Sequence, residues 1–267
     1  MNSQSQAQAQ LINNAALNFK PAALDGWNSR GTATLSEQIL PFSIQVVQDP
    51  EELADAVRIR HDAYARHLPE LAQKLVMAEA ADFAPGTIVF LARAKLDGSP
   101  MGTARIQTND FAPLPLETSV ELPARFQGRR LAEVNRLGVQ NGHIGRAVKI
   151  ALVKALFEYC AANGFEFATL VARHPIDRQY SQLMFEDVFP EIGMIPMSHC
   201  ANLPHRVMSF EIATGEERWS AANHPLLGYF RHTRHPDINI EAPVTGPMLE
   251  QLCVQRSKQI EPALRWA

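Results

Sequence analysis

The stretch AEVNRLGVQNGHIGRA, residues 132–147, has the order of a buried strand, a glycine turn and the start of a helix, yet its apolar part carries Glu133 and Arg136. In a regular strand, residues three apart face opposite sides of the sheet, so these two charges share one cleft only if a bulge lies between them. A bulge before Gly138 would bring them together. It would also splay the strand from a neighbour and leave backbone N–H and C=O groups free to take an extended, amide-bearing ligand by strand addition. The plainer alternative is a structural ion pair at a sheet edge.

Other charges in apolar surroundings bear on that choice. In GTARIQT, residues 102–108, strand alternation puts Thr103, Arg105 and Gln107 on one face and Ala104 and Ile106 on the other. Arg60 lies with Leu53, Val57 and Tyr64 on the i, i+4, i+7, i+11 stripe of a predicted helix, the stripe that should face the core. Three arginines and a glutamate turned inward need partners, because an unpaired buried charge costs about several kcal/mol. Glu79 and Asp82 of EAAD are one candidate set; a carboxylate-bearing substrate is another.

The turn QNGHIGRA adds a second feature. Gly142 and Gly145 let backbone approach a ligand closely, and the free N–H groups at the start of the following helix attract anions such as phosphate. Arg146 and Lys149 add positive charge there. The dinucleotide fingerprint GxGxxG is absent.

Residues 1–36 are rich in Gln, Asn, Ala and Ser and read as a mobile arm. The ordered part, expected over 37–242, begins with the alternating strand FSIQVVQ and the helix DPEELADAVRIRHDAYARHL, where Asp49 is a candidate N-cap and Pro50 takes the first helical position. TIVFLARAKL and MGTARIQT form a hairpin through DGSP. After the opening stretch come a helix from about Ile144 to Asn163, stopped by Gly164, the strand FEFATLVA, a helix over HPIDRQYSQLMFEDVF and the strand HRVMSFEIAT. Residues 243–267 are expected to form a C-terminal amphipathic helix packed on the domain. The order β-α-(loop)-β-β-β-α-β-α-β describes one mixed α/β layer structure.

Bulk properties narrow the function. With 46% hydrophobic residues, 20% charged residues and a net charge of -3, the 267-residue chain has globular composition and no general pull toward nucleic acid or an anionic membrane. Three separated cysteines without a CxxC, no signal-peptide pattern and no apolar run of membrane-spanning length point to the cytoplasm. His224, His232 and His235, and the group His199, Cys200 and His205, match no zinc spacing, so no metal is expected. No GxSxG elbow supports serine hydrolysis. The apolar runs FATLVA and IALVKALF read as ordinary core. FRHTRH and Arg129–Arg130 form basic patches that suit an acidic carrier protein, or simply a solvated surface.

Taken in order, a bulged strand, a glycine-containing loop, a helix, a strand and the helix bearing RQYSQLMF resemble the GNAT-type acyltransferases. Within that group, RHDAY, GTARIQT and EVNRLGV resemble the acyl-homoserine lactone synthases and the related long-chain N-acyl amino acid synthases, with HRVMSFEI and HPDINI favouring the latter. The likeness runs from about Phe42 to Ile240. It implies an α/β fold of GNAT type, a central mixed sheet with a bulged, splayed strand pair and flanking helices.

It also implies transfer of a long-chain fatty acyl group from acyl carrier protein or acyl-CoA, as co-substrate rather than resident cofactor, to the amine of an amino acid or similar acceptor. By the same resemblance Glu133 is the candidate base, Arg105 and Arg136 organise the site, and Tyr180 stands where a relative protonates the departing thiolate. Arg60, Tyr64, Glu79 and Asp82 border the substrate cleft, although the first acidic position carries Glu where the family has Asp. Leu137 and Val139 offer backbone N–H groups to the thioester carbonyl. Gly142, Gly145, Arg146 and Ala147 form the donor loop, which lacks the Gln or Arg that usually opens it in acetyl-CoA enzymes; that keeps the carrier protein beside CoA as donor. Two rivals remain: a homoserine lactone synthase using S-adenosylmethionine, and a catalytically silent acyl-carrier or lipid-signal binding protein.

Overall fold

A computed structural model describes residues 36–241, 248–251 and 253–254. The N-terminal arm up to residue 35 and most of the expected C-terminal helix lie outside the described residues. Residues 248–251 and 253–254 are helical, and Leu249 is buried beside Val47, Leu53 and Leu91.

A short strand β1 (Ser36–Glu37) precedes β2 (Phe42–Val46) and helix α1 (Pro50–Ala65). The Asp49 side chain accepts from the N–H groups of Glu51 and Glu52 at 2.8 and 2.9 Å, and Pro50 occupies the first turn, as its sequence requires. A one-turn helix α2 (Pro69–Ala72) leads to the hairpin β3 (Thr87–Ala94) and β4 (Pro100–Thr108), then to β5 (Leu131–Val139), α3 (His143–Ala162) and β6 (Phe167–Ala172). Helix α4 covers only Ile176–Gln182, shorter than the sequence suggests. Met184 adopts a left-handed conformation (φ 67°) that ends it, and Glu186–Asp187 forms a short strand, β7, because β9 offers a free edge there. Then follow β8 (Ile195–Met197), β9 (Leu203–Glu211), α5 (Gly215–Ala221), a π-turn (Gly228–His232) and β10 (Thr233–Arg234).

The main sheet has the order β2-β3-β4-β5-β6-β9-β7, with β8 on the far part of β9. Neighbours are antiparallel except β5 and β6, which are parallel. Helix α3 covers one face, where Val148, Ala151, Leu152, Ala155 and Leu156 meet Phe90, Ala104, Ile106, Ala132 and Val134. The other face carries α1 over β3 to β5 and, beside it, the excursion 109–130, whose Leu114, Leu116, Leu122 and Phe126 pack with Leu131, Met197 and Val207.

One residue in the apolar run IALVKALF has a specific duty. Lys154, buried on α3, donates to the carbonyls of Tyr229 (2.8 Å) and Thr233 (2.5 Å) and meets His235 Nδ1 at 2.8 Å. Burial and the adjacent ammonium push His235 down to about 4, so its neutral ring can accept that proton. The clasp holds residues 229–235 against α3, and the segment beyond covers the β2 edge: Ile44 N–H donates to the Asp237 carbonyl and Asn239 N–H to that of Ile44, both at 2.8 Å.

Candidate active site

The bulge expected before Gly138 is present. Thr103 pairs with Gly138 and Arg105 with Asn135, so Ala104 alone faces Arg136 and Leu137. Arg136 takes a left-handed backbone (φ 53°), an expensive conformation for a residue with a side chain. Its compensation is a bidentate ion pair with Glu79, Nε to Oε2 at 2.8 Å and Nη2 to Oε1 at 2.7 Å. The extra residue thereby puts Arg136 on the face that carries Glu133, Asn135 and Arg105.

On the other side of β5 the sheet parts. The ladder to β6 ends at Val134–Leu170, while β5 runs on to Val139. The bulge sits in that unpaired half. Helix α1 lies directly over it, since a Cβ at Gly138 would come within 2.9 Å of Ala63 Cβ and 3.3 Å of Arg60 Cα.

The inward charges of the sequence meet one another. Arg60 grips Asp82 with two nitrogens (3.0 and 2.9 Å) and reaches Glu79 at 3.2 Å. Arg105 binds Glu79 (3.1 Å), Asp82 (3.0 Å) and Asn135 Oδ1 (2.8 Å). Glu79 and Asp82 therefore supply the partners that a substrate carboxylate might have supplied. Burial would raise both acids, but Arg136 and its fellows outweigh it at Glu79 and Arg60 at Asp82, holding each carboxyl below its ordinary range. Three guanidinium groups on two carboxylates leave one positive charge in excess. Asn135, which sequence reasoning passed over, bridges Arg105 to Gln107 Oε1 (2.9 Å).

Glu133 stands apart from that cluster. Its side chain is wholly enclosed: Oε2 accepts from the Leu116 N–H at 2.8 Å, and Oε1 has no hydrogen bond, its nearest basic neighbour being His199 Nε2 at 3.4 Å. In the sequence His199 reads only as a candidate metal ligand, beside Cys200 and His205. It lies in the turn Ser198–Cys200 after β8 and meets Glu133 only because β8 and β9 fold beside β6. Burial alone would lower its pKa; the Cys200 side chain and the Glu133 carboxylate outweigh burial and lift it to about 9. No spacing in the sequence carries that signal.

Tyr64 and Tyr180 line the same region. Tyr64 on α1 is half-buried and feels the guanidinium of Arg136 and the side chain of Cys200. Tyr180 on α4 packs edge-on against Phe185, and its hydroxyl pKa is raised by burial with Tyr64 as the next contributor. Leu137, Val139 and Ala147 are half-buried against the main core.

At the start of α3, Gly142 is exposed, has a φ of 91° and occupies the N-cap position without a side-chain cap, which leaves the first helical N–H groups uncapped. Arg146 is exposed beside His143, and Lys149 donates to Gln179. Gly145 has a different duty from the one its spacing suggests. A Cβ there would lie 1.8 Å from the Gln140 carbonyl oxygen, so the close backbone approach is that of the loop to itself. An alanine at 145 is expected to cost about 1–3 kcal/mol, because backbone cannot rotate away as a side chain does. Thermal unfolding checks this, at roughly 2–4 °C per kcal/mol; an unchanged melting temperature would show that the loop yields freely.

Among the described residues, no group of three or more His, Cys, Asp or Glu side chains is arranged to hold a metal ion. No helix among them is long and apolar enough to cross a membrane.

The bulged strand, the parted sheet and the charged face agree with a match by sequence: the family model of the N-acyl amino acid synthase FeeM covers residues 55–198. The chain belongs to this family. It is accordingly an enzyme, an N-acyltransferase with a GNAT-type fold. The match begins within α1, takes in the Glu79–Asp82 turn, the bulge and the α3 loop, and ends one residue before His199.

Among solved structures, that of FeeM, an N-acyl amino acid synthase from uncultured soil microbes, superposes with a TM-score of 0.56 at 20% identity, covering 68% of this chain and 96% of that one. A CoA-dependent acyl-homoserine lactone synthase, BjaI, with SAM and isopentyl-CoA, gives 0.49 at 14% identity, over 80% and 99%. The aminoglycoside 6'-acetyltransferase type Ii gives 0.44 at 16% identity, over 63% and 96%. No curated protein sequence matches the chain.

Proposed function

We propose that this N-acyltransferase moves a long-chain fatty acyl group from a carrier thioester, acyl carrier protein or CoA, to the amine of an amino acid or a similar small acceptor. The observation that supports this reading is the convergence of Glu133, Arg105 and Arg136 on one sheet face beside the unpaired half of β5. An extended pantetheine arm has backbone there to pair with, and the bulge near Leu137 and Val139 offers N–H groups to polarise the thioester carbonyl. The uncapped start of α3, with Arg146 and Lys149, suits the donor's phosphate.

The excess positive charge of the Arg60, Arg105 and Arg136 cluster draws the acceptor's carboxylate toward the gap. Glu133 is the base of this reading. Because its carboxylate is enclosed, the amine's proton reaches it through a neighbouring group. Tyr180, whose buried hydroxyl feels Tyr64, is a proton donor for the thiolate. The exposed Arg129, Arg130 and Arg231, paired in this structure with Glu166, Asp110 and Glu216, would have to exchange those partners to receive an acidic carrier protein, and the site of action is the cytoplasm.

The test is thiol release with time from long-chain acyl carrier protein or acyl-CoA in the presence of a pool of amino acids, with mass spectrometry of the lipid extract. Acceptor-dependent release with an N-acyl amino acid as product is the expected result. A cyclised product formed from S-adenosylmethionine would move the chain to the lactone synthases. Carrier binding without turnover, across a full range of chain lengths, would reduce it to a binding protein.

A further inference from the structure

His199 lies beside Glu133 and is a group that the acyl-transfer reading has not used. The Glu133 carboxylate is fully enclosed, one oxygen is held by Leu116 N–H, and the other has only the His199 ring beside it at 3.4 Å. The ring itself is mostly but not wholly covered, its side chain 16% exposed, and both its nitrogens are buried without a hydrogen-bond partner, Nε2 toward Glu133 and Nδ1 on the far side. A buried donor left without a partner costs about 1–3 kcal/mol, so such an atom marks a place where a missing group completes the site. A carboxylate beside one ring nitrogen, with the other lacking a partner, is the arrangement that lets an imidazole pass protons once a substrate group reaches it.

Resting on the acyl-transfer function above, we propose that His199 is a further catalytic residue: it is the neighbouring group through which Glu133 acts, its Nδ1 exchanges protons with the reacting atoms and takes over from Tyr180 the protonation of the thiolate, and Glu133 is the buried carboxylate that charges the ring. The amine nitrogen forms its bond to the thioester carbon and the carbon–sulfur bond breaks. Nδ1–H passes to the departing sulfur, and the same nitrogen then takes the proton that the new amide nitrogen sheds. Ring and carboxylate end as they began, and no further reactant is required.

The groups facing the ring are consistent with a protonated resting state. Glu133 comes from β5, Cys200 from the same turn and His205 from β9, and Cys200 in turn acts electrostatically on Arg136 and Tyr64. After burial, the Cys200 side chain and then the Glu133 carboxylate act on the ring most strongly, and both favour its charged form.

The experiment compares wild type and His199→Gln with two acyl donors, one leaving as an alkyl thiol and one as an aryl thiol whose thiolate departs without a proton. Loss of kcat by about 100-fold with the alkyl donor, but by no more than about threefold with the aryl donor, is the expected result. The Glu133→Gln/His199→Gln double variant should be no worse than the poorer single one, because the two act as a unit. In wild type, activity with the alkyl donor should fall as pH rises past about 9, and that limb should be absent with the aryl donor. This last measurement needs no variant and stands even if His199→Gln fails to fold.

Equal losses with both donors would overturn the proposal, as would a loss confined to KM for the acceptor, which would assign His199 to the acceptor's carboxylate. Either result leaves the acyltransferase reading intact. Absence of turnover in wild type removes that reading and the proposal together.

Discussion

Replacing Glu133 with Gln is expected to lower kcat by about two to three orders of magnitude while the melting temperature stays close to that of wild type. Glutamine has nearly the same shape, fits the same enclosed volume and keeps an oxygen to accept the Leu116 N–H. What it removes is the negative charge. His199 then keeps the burial that lowers its pKa and loses the carboxylate that raises it, so its ring becomes neutral at a lower pH.

Stability reports the same change with a definite sign. In wild type the folded His199 has a pKa near 9 against an unfolded value of 6.5. A raised folded pKa contributes stability that is fully present below 6.5, declines between the two values and is lost above about 9. Melting curves of wild type should therefore lose stability across that window, and those of Glu133→Gln should lose less. Turnover of Glu133→Gln within about threefold of wild type would remove Glu133 from the proton path.

The second large effect is on folding. Asp82→Ala should destabilise the protein by about 3–5 kcal/mol, because it strips a fully buried guanidinium of its bidentate partner. Arg60 has no exposed surface and its Nε is already unpaired; without Asp82 it retains only the 3.2 Å contact to Glu79. Asp82 is the sharper test of the two acids, since Glu79 has a side chain 21% exposed and water can replace part of what it gives.

Arg60→Met in the Asp82→Ala background should recover part of the loss, as removing both members of a buried pair costs less than orphaning one. Both acids have folded pKa values below their ordinary 3.8 and 4.5, so their contribution is present above those values and disappears as pH falls through the folded ones. Chemical denaturation below pH 4 should show a steep loss in wild type and a shallower one in Asp82→Ala. A loss under about 1 kcal/mol in Asp82→Ala would show that the cluster is far more hydrated than its geometry indicates.

Much of this was legible in the chain because the signals are local. The alternation of GTARIQT set Arg105 apart from Ala104 and Ile106, and those two residues lie in the main core while Arg105 faces the acids. The stripe Leu53, Val57, Arg60 and Tyr64 placed one guanidinium inward, and it is buried. The strand of residues 132–139 could bring Glu133 and Arg136 to one face only through a bulge, and the register confirms it. The α4 boundary was less visible: an apolar pattern continues through LMFEDVF, but Met184 turns left-handed and the chain joins β9.

Sequence by itself therefore determined the main strands and the two long helices, the condition for a bulge and the set of charged residues, because the period of side chains along a strand or helix fixes which face each occupies. Tertiary structure decided which charges meet. Glu79 and Asp82 are the partners of three arginines, Gly145 makes room for the loop's own carbonyl, and His199 lies beside Glu133. Each of these contacts joins segments whose separation along the chain has no period, and only the packing of one element on another sets it.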